Sequence, residues 1–288
     1  MLFNSKSIFN YIVKNISNHY DKAEADSIAR IVLKDKFNCD FTDVLIGKDI
    51  DIKSFDIVEE VVSRLNNNEP IQYILGEVRF CDVDMLIDRR ALIPRPETEE
   101  IVMDIINTMK NRSEMRILDL CTGSGCIALA LKKAFPQAHV FAVDISNDAL
   151  DLAKANAHKN DIDIEFIKAD ILSHDIVDKL RFDYHSFDII VSNPPYVCIS
   201  EKVNMHKRVL DYEPSEALFV KDEEPFIFYE AIKNIRDKLL AKKGSCFVEI
   251  NERFGSEVKC LFENECAHVE IKKDFKDKDR WIIIQKKH

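Results

Sequence analysis

The sequence predicts an α/β fold, an open seven-stranded sheet with helices on both faces, preceded by a small helical domain. Short apolar runs recur and end in glycine or an acid before helix-like segments, as strands of an open sheet do. A further apolar run, Phe187 to Val191, stops at Asn193-Pro194-Pro195-Tyr196. The first seventy or so residues instead repeat apolar side chains at helical spacing.

In chain order, Ile8, Phe9, Ile12, Val13 and Ile16 lie on one helical face, as do Ile28, Ile31 and Val32, and then Val58, Val61, Val62 and Leu65. They describe a helical bundle over residues 1–70, closed by Asn66-Asn67-Asn68-Glu69-Pro70, which breaks the last helix. Between Gly76 and Pro94, Val78, Phe80, Met85 and Ile87 alternate with charged residues, so 71–95 reads as a linker with a β-hairpin and 96–288 as the α/β domain. Ile117–Leu120 reads as a buried strand, then Val140–Val143, Ile164–Ala169 and Phe187–Val191. The charged stretch Asn204–Glu224 lacks periodicity and reads as a loop over the active site. Phe228–Leu240 reads as a helix stopped by Lys242-Lys243-Gly244. Cys246–Ile250, His268–Ile271 and Trp281–Ile284 supply the last strands, the final two as an antiparallel edge.

The chemistry sits at the strand ends. Ile117–Leu120 runs into Cys121-Thr122-Gly123-Ser124-Gly125 and then the helix-like Cys126–Leu131, an arrangement that lets a ligand approach backbone amides at a helix N-terminus. The next unit ends in Asp144, placed to accept hydrogen bonds from ribose hydroxyls, and the one after it in Asp170. Either acid alone could equally be a helix N-cap; together, after a glycine turn, they suggest an adenosine-containing ligand.

Asn193-Pro194-Pro195 forms a stiff turn, because neither proline has an N–H and each restrains the residue before it. It offers the Asn193 side-chain oxygen and the Pro194 carbonyl as two fixed acceptors, with Tyr196 alongside. Two convergent acceptors suit a planar NH2 group. An isolated Asn-Pro-Pro would more often be an ordinary strand-ending turn.

Taken together, Asp119-Leu-Cys-Thr-Gly-Ser-Gly125, Val143-Asp144-Ile145-Ser146 with Ala149, Leu150, Ala153 and Asn156, and Asn193-Pro-Pro-Tyr196 resemble the class I S-adenosylmethionine methyltransferases. Pro70–Gly76, Leu92-Ile-Pro-Arg-Pro-Glu-Thr-Glu99, Glu213-Pro214 with Ala217-Leu218, and Asp279-Arg280 narrow the resemblance to the HemK/PrmC family. That family methylates the side-chain amide nitrogen, N5, of the glutamine in the Gly-Gly-Gln loop of class I peptide-chain release factors. The resemblance spans roughly residues 70 to 285 and implies a Rossmann-like seven-stranded methyltransferase sheet. It implies S-adenosyl-L-methionine as cofactor, held by Asp119, Cys121, Thr122, Gly123, Ser124, Gly125, Asp144, Asp170, Ile171 and Asn193. Asn193, Pro194, Pro195 and Tyr196 would bind the substrate amide, with Asn193, Pro194 and Tyr196 catalytic. The family often has glycine where this chain has Cys121 and Asp277. Arg95 and Glu97 fall near the expected mouth of the site and fit a linker role equally well.

Composition agrees with a two-part enzyme. No run of eighteen or more apolar residues and no secretory signal is present, so a cytoplasmic, membrane-free protein is expected. Eight cysteines are scattered without a Cys-x-x-Cys pair, and eight histidines show no ligand spacing, so reduced core thiols and no metal are expected. A net charge of −10 argues against nonspecific nucleic-acid binding and is compatible with a basic protein partner. The expected partners are class I release factors, with the chain itself monomeric. The alternative reading is a nucleic-acid adenine-N6 methyltransferase, whose exocyclic NH2 would fit the same two acceptors. That reading calls for a basic target-recognition region, which the chain lacks.

Overall fold

The computed structural model describes residues 1–52, 54–112, 114–181, 186–265 and 267–286. They form two compact units: Met1–Glu77 with His206–Tyr212, and Val78–Met205 with Glu213–His288.

The first unit is helical. Helix α1 (Ser5–Ile16) starts where the Asn4 side chain accepts the Lys6 and Ser7 amides, and it buries Ile8, Ile12 and Ile16 on one face. Helix α2 (Lys22–Phe37) is capped by Asp21, and α3 (Phe41–Ile46) by a reciprocal Asp40–Asp43 capping box. After α4 (Asp56–Asn66) comes the short α5 (Ile71–Leu75), so the helical unit continues past Pro70 to Glu77. Strands β1 (Leu2–Asn4) and β2 (Asp49–Asp51) pair antiparallel beside the bundle.

A helix from the distant segment Lys207–Tyr212 joins this unit. Arg208 donates to Glu24 Oε1 at 2.7 Å and lies over the Tyr20 ring, and the Tyr212 hydroxyl donates to the Asn67 carbonyl at 2.8 Å. The expectation of a loop over the active site across Asn204–Glu224 is therefore corrected. Residues 206–212 cluster with the helical unit, and Pro214, Glu216 and Ala217 border a cavity of the second unit.

The second unit opens with a hairpin of β3 (Glu77–Phe80) and β4 (Val83–Leu86), joined through Cys81 and Asp82 with φ of 43° and 64°. Two consecutive positive φ angles are the geometry of a tight turn that follows the strands' twist. Helix α6 (Pro96–Met109) starts on a proline, which needs no N–H in the first turn.

The sheet then alternates with helices: β5 (Arg116–Leu120), α7 (Cys126–Ala134), β6 (His139–Asp144), α8 (Asn147–Lys159), β7 (Glu165–Lys168) and β8 (Phe187–Ser192). Helix α9 (Ile227–Leu239), β9 (Leu240–Glu249), α10 (Gly255–Phe262), β10 (Ala267–Lys273) and β11 (Asp279–Lys286) complete it. The seven strands are ordered β10-β11-β9-β8-β5-β6-β7. The five from β9 to β7 are parallel, and β11 runs antiparallel to both β9 and β10. Alternate residues feed two cores: Leu118, Leu120, Ile190 and Val248 on one face, Ile117, Ile189, Val191 and Phe247 on the other. Burial on both faces explains why these strands read as continuous apolar runs.

Lys242-Lys243-Gly244 is not a helix stop, contrary to the sequence expectation. Those residues lie inside β9, where the pairing with β8 shifts register between Leu240 and Ser245. A Cβ on Gly244 would stand 2.8 Å from Leu240 Cδ1 and 3.0 Å from the Asp188 carbonyl, so close packing of the chain explains this glycine.

Register sets the functional edge. Leu120 pairs with Val143 on one side and Ser192 on the other, and Ser192 pairs with Val248. The next residues, Cys121, Asp144, Asn193 and Glu249, therefore stand side by side at the sheet's carboxyl end, Asp144 and Glu249 as the last residues of their strands. The chain reverses its strand order between β5 and β8, the place where open sheets build ligand crevices.

Candidate active site

A cavity of about 250 Å³ lies at this edge, entirely within the second unit. Cys121, Thr122, Gly123 and Ser124 form one wall, Asp144, Ile145 and Ser146 the next, and Asp170, Ile171 and Leu172 a third. Asn193, Pro195, Thr98 and Arg95 border it from the other side, with Phe228 contributing an aromatic face.

The glycine loop is held from beneath. Asp119 is fully buried, and its Oδ2 accepts the Thr122 hydroxyl at 2.6 Å and the Ala128 N–H at 3.2 Å. Its Oδ1 has no hydrogen-bond partner among the described residues, and burial pushes the carboxyl up to about 7. Asp119 thus braces the loop and is not a wall of the cavity. Gly125, also behind the wall, has φ of 81°, and a Cβ there would lie 3.1 Å from the Ala153 Cβ. Gly123 has φ of 54° and open space where a side chain would be, so ligand atoms can approach its backbone. Buried Asn156 ties the loop to β4, accepting the Leu86 N–H and donating to the Leu86 and Ser124 carbonyls.

Asp144 is engaged twice, its Oδ2 accepting the Gly123 N–H at 2.8 Å and its Oδ1 the Ser146 N–H at 2.9 Å. Burial raises its carboxyl above the usual range, against the pull of these backbone bonds. Asp170 is exposed and accepts the Leu172 N–H at 2.8 Å, which shapes the turn carrying Ile171.

Asn193 borders the cavity and its Nδ2 lies 3.3 Å from Thr98 Oγ1. The Thr98 hydroxyl donates to Glu249 Oε2 at 2.8 Å, and the Tyr196 hydroxyl donates to Glu249 Oε1 at 2.9 Å. Tyr196 and Pro194 are not among the cavity walls. The Tyr196 ring packs on the adjoining core with its hydroxyl on Glu249. Burial and the neighbouring Glu249 carboxylate hold that phenol well above its ordinary range, so it stays a hydrogen-bond donor.

Thr98 and Glu249 are site residues that sequence reasoning did not single out. The available signal for Glu249 was an acid ending an apolar strand, the same signal that marked Asp144. Arg95, left open by the sequence, donates to Glu213 Oε1 at 2.6 Å, and the Ile93 N–H donates to Glu213 Oε2 at 3.2 Å. Glu213 is buried, so this pair pins the segment before Pro214 against the one before α6. Glu97 points elsewhere, to Lys276 Nζ at 2.9 Å.

Comparison with known proteins agrees with both units. Residues 8–76 match the PrmC N-terminal domain family and residues 103–214 the Methyltransferase small domain family. The chain is 38% identical over 278 residues to the release factor glutamine methyltransferase of Flavobacterium psychrophilum, covering 94% of this chain and 95% of that one. It is 39% identical to the Bacteroides thetaiotaomicron protein of the same name, covering 96% and 98%. The Lactococcus lactis counterpart is 39% identical, covering 84% and 86%. The chain belongs to the release factor glutamine methyltransferase family.

As a member of the release factor glutamine methyltransferase family, it uses S-adenosylmethionine. The cavity chemistry fits that cationic, adenosine-bearing group: acids at two strand ends, an open approach over Gly123, and apolar Ile145, Leu172 and Phe228. Among the described residues, no helix is long and apolar enough to cross a membrane, and no group of three or more His, Cys, Asp or Glu could hold a metal.

Proposed function

We propose that this protein methylates N5 of the glutamine in the Gly-Gly-Gln loop of class I peptide-chain release factors. The observation that carries the reading is the side-by-side exit of Asn193 and the Cys121–Gly125 loop from neighbouring strands into one cavity, in a chain similar over nearly its whole length to release factor glutamine methyltransferases. The helical unit, which matches the family's own N-terminal domain, is the surface we assign to recognising the folded release factor.

Asp144 would accept the ribose hydroxyls, Asp170 and Ile171 would border the adenine, and the Gly123 backbone would admit the amino-acid end. Bound S-adenosylmethionine supplies a methyl group on a positively charged sulfur, electrophilic enough to be taken by a weak nucleophile. An amide nitrogen is such a nucleophile, since its lone pair is delocalised into the carbonyl. Asn193 Oδ1, at the cavity wall, would accept one amide hydrogen and aim the nitrogen, and the Pro194 carbonyl, which is not among the cavity walls, would accept the other once the substrate loop is seated. As positive charge develops on that nitrogen, both bonds strengthen, so they favour the transition state over the bound substrate. The methyl–sulfur bonding pair would stay on sulfur as a neutral thioether, and one N–H proton would pass to solvent, leaving a neutral N-methyl amide. Alignment supplies the other large share of the rate.

Incubating purified release factor with this protein and S-adenosylmethionine should add one methyl group, located by peptide fragmentation on the Gly-Gly-Gln glutamine. DNA and RNA should accept none. Label on adenine with none on release factor would overturn the reading.

A further inference from the structure

We infer that Thr98 and Glu249 are positioning residues that fix which way the Asn193 side-chain amide faces, so that its oxygen and not its NH2 is presented to the substrate. The inference rests on the amide-methylation reading above and adds to it the device that sets the polarity of the grip.

The two ends of an asparagine amide have nearly the same shape, so sterics alone do not choose between them. The choice matters here, because a flipped Asn193 would set its NH2 against the NH2 of the substrate, donor against donor. Hydrogen counting decides the orientation. Glu249, which ends β9 level with Asn193, is 1% exposed and accepts on both oxygens, from Thr98 Oγ1 at 2.8 Å and from the Tyr196 hydroxyl at 2.9 Å. A threonine hydroxyl has one hydrogen. Once it is donated to the carboxylate, Oγ1 can only accept, so the group of Asn193 that meets it at 3.3 Å must be the Nδ2 donor. Oδ1 is then left for the cavity, which Asn193 and Thr98 both border.

The anchor is itself held. Thr98 is 1% exposed in the first turn of α6, and Tyr196 is tied to the same carboxylate within the Asn193-Pro-Pro-Tyr turn. Burial pushes the Glu249 carboxyl up from its ordinary range, while the Thr98 and Tyr196 hydrogen bonds and the Arg280 charge act to keep it ionised. Arg280 is in turn paired with Asp274 at 3.1 Å. The chain from Glu249 through Thr98 gives a physical role to the threonine of the Pro94-Arg-Pro-Glu-Thr98 stretch, whose Arg95 and Glu97 pair elsewhere, with Glu213 and Lys276.

The test uses the full-length chain with Thr98→Val, Thr98→Ser and Glu249→Gln. Val keeps the shape and removes the hydroxyl; Ser keeps the hydroxyl; Gln offers either a donor or an acceptor to Thr98 and so weakens the choice. With release factor as substrate, Thr98→Val should lower kcat by about ten- to a hundredfold while the KM for release factor and the Kd for S-adenosylmethionine stay within about threefold. Thr98→Ser should recover kcat to within about threefold, and Glu249→Gln should fall between Ser and Val. Side-chain hydrogen exchange at Asn193, read by NMR on 15N-asparagine-labelled protein, should be slowed in the wild type and Thr98→Ser and fast in Thr98→Val. Wild-type kcat in Thr98→Val, or a parallel loss of kcat and cofactor affinity that Ser does not rescue, would overturn the inference. If Thr98→Val fails to fold, Glu249→Gln decides by the same split of kcat from Kd. If the wild type transfers nothing to release factor, the substrate reading falls instead, and hydrogen exchange in wild type and Glu249→Gln still decides the orientation.

Discussion

Asp144 Oδ2 accepts the backbone N–H of Gly123 at 2.8 Å, so the acid that closes one strand is bonded to the glycine loop that closes its neighbour. One carboxylate therefore shapes the loop and borders the cavity at once.

Asp144→Ala should raise the Kd for S-adenosylmethionine by about ten- to a hundredfold, the range for losing charge-assisted bonds of roughly 1.5–3 kcal/mol. Calorimetric titration measures this directly. Because the Gly123 and Ser146 amides also lose their acceptor, thermal stability should fall together with affinity. Unchanged affinity would place the ribose away from Asp144.

Asn193→Ala should lower kcat by about two to three orders of magnitude and leave cofactor affinity within a few-fold, since it removes an acceptor aimed at the substrate amide. Single-turnover methylation of release factor, paired with cofactor titration, separates the two quantities. Loss of cofactor binding in this variant would contradict the role.

Asp119 makes stability depend on pH in a defined direction. Its folded-state pKa, raised by burial to about 7, lies above the ordinary value of about 4 that it takes when unfolded. Its contribution is therefore fully present below pH ~4 and is lost as pH rises toward 7, because only the unfolded chain releases the proton freely across that window. Asp119→Asn, which keeps an acceptor for Thr122 and Ala128, should gain stability relative to the parent between pH ~4 and 7 and hold a constant advantage above it. Urea midpoints at pH 5, 6, 7 and 8 for both proteins measure the difference. A difference that does not change with pH would mean that Asp119 is ionised throughout.

Cys121 and Asp277 occupy left-handed backbone, with φ of 60° and 61°, at the two positions where the family resemblance leads one to expect glycine. Non-glycine residues in this region cost roughly 1–2 kcal/mol, offset in part by the lower chain entropy that they bring to the unfolded state. Cys121→Gly should thus be neutral or stabilise by up to about 1 kcal/mol, whereas Cys121→Val, branched at Cβ, should destabilise by more than that. Chemical denaturation of the two variants provides the comparison, and a stable Val variant would mean that the loop adopts another conformation.

The strands and the residues that end them were legible because they depend on local spacing. Val140–Val143 is apolar throughout and Ile117–Leu120 is apolar except at Asp119, and they give way to Asp144 and to the small-residue turn Cys121–Gly125. The boundary near Pro70 was less legible. Helix α5 reads locally as a turn after a proline, and its place in the helical unit depends on packing that spacing does not reveal. The helix at Lys207–Tyr212 was lost for the same reason, since a charged segment without periodicity gives no sign that Arg208 and Tyr212 find Glu24 and Asn67.

By itself the sequence determined the strand-helix alternation, the glycine turn, the acids at two strand ends and the stiff Asn193-Pro-Pro turn, because each is a property of a few consecutive residues. Only the tertiary structure decided that Asp119 is a brace behind the wall, that the Tyr196 hydroxyl is spent on Glu249, and that Thr98 stands between Glu249 and Asn193. Thr98 meets partners 151 and 95 residues away, and nothing in local spacing encodes such pairs. They form because β9 pairs with β8 in a register that sets Glu249 beside Asn193, and because α6 brings its first turn to the same edge.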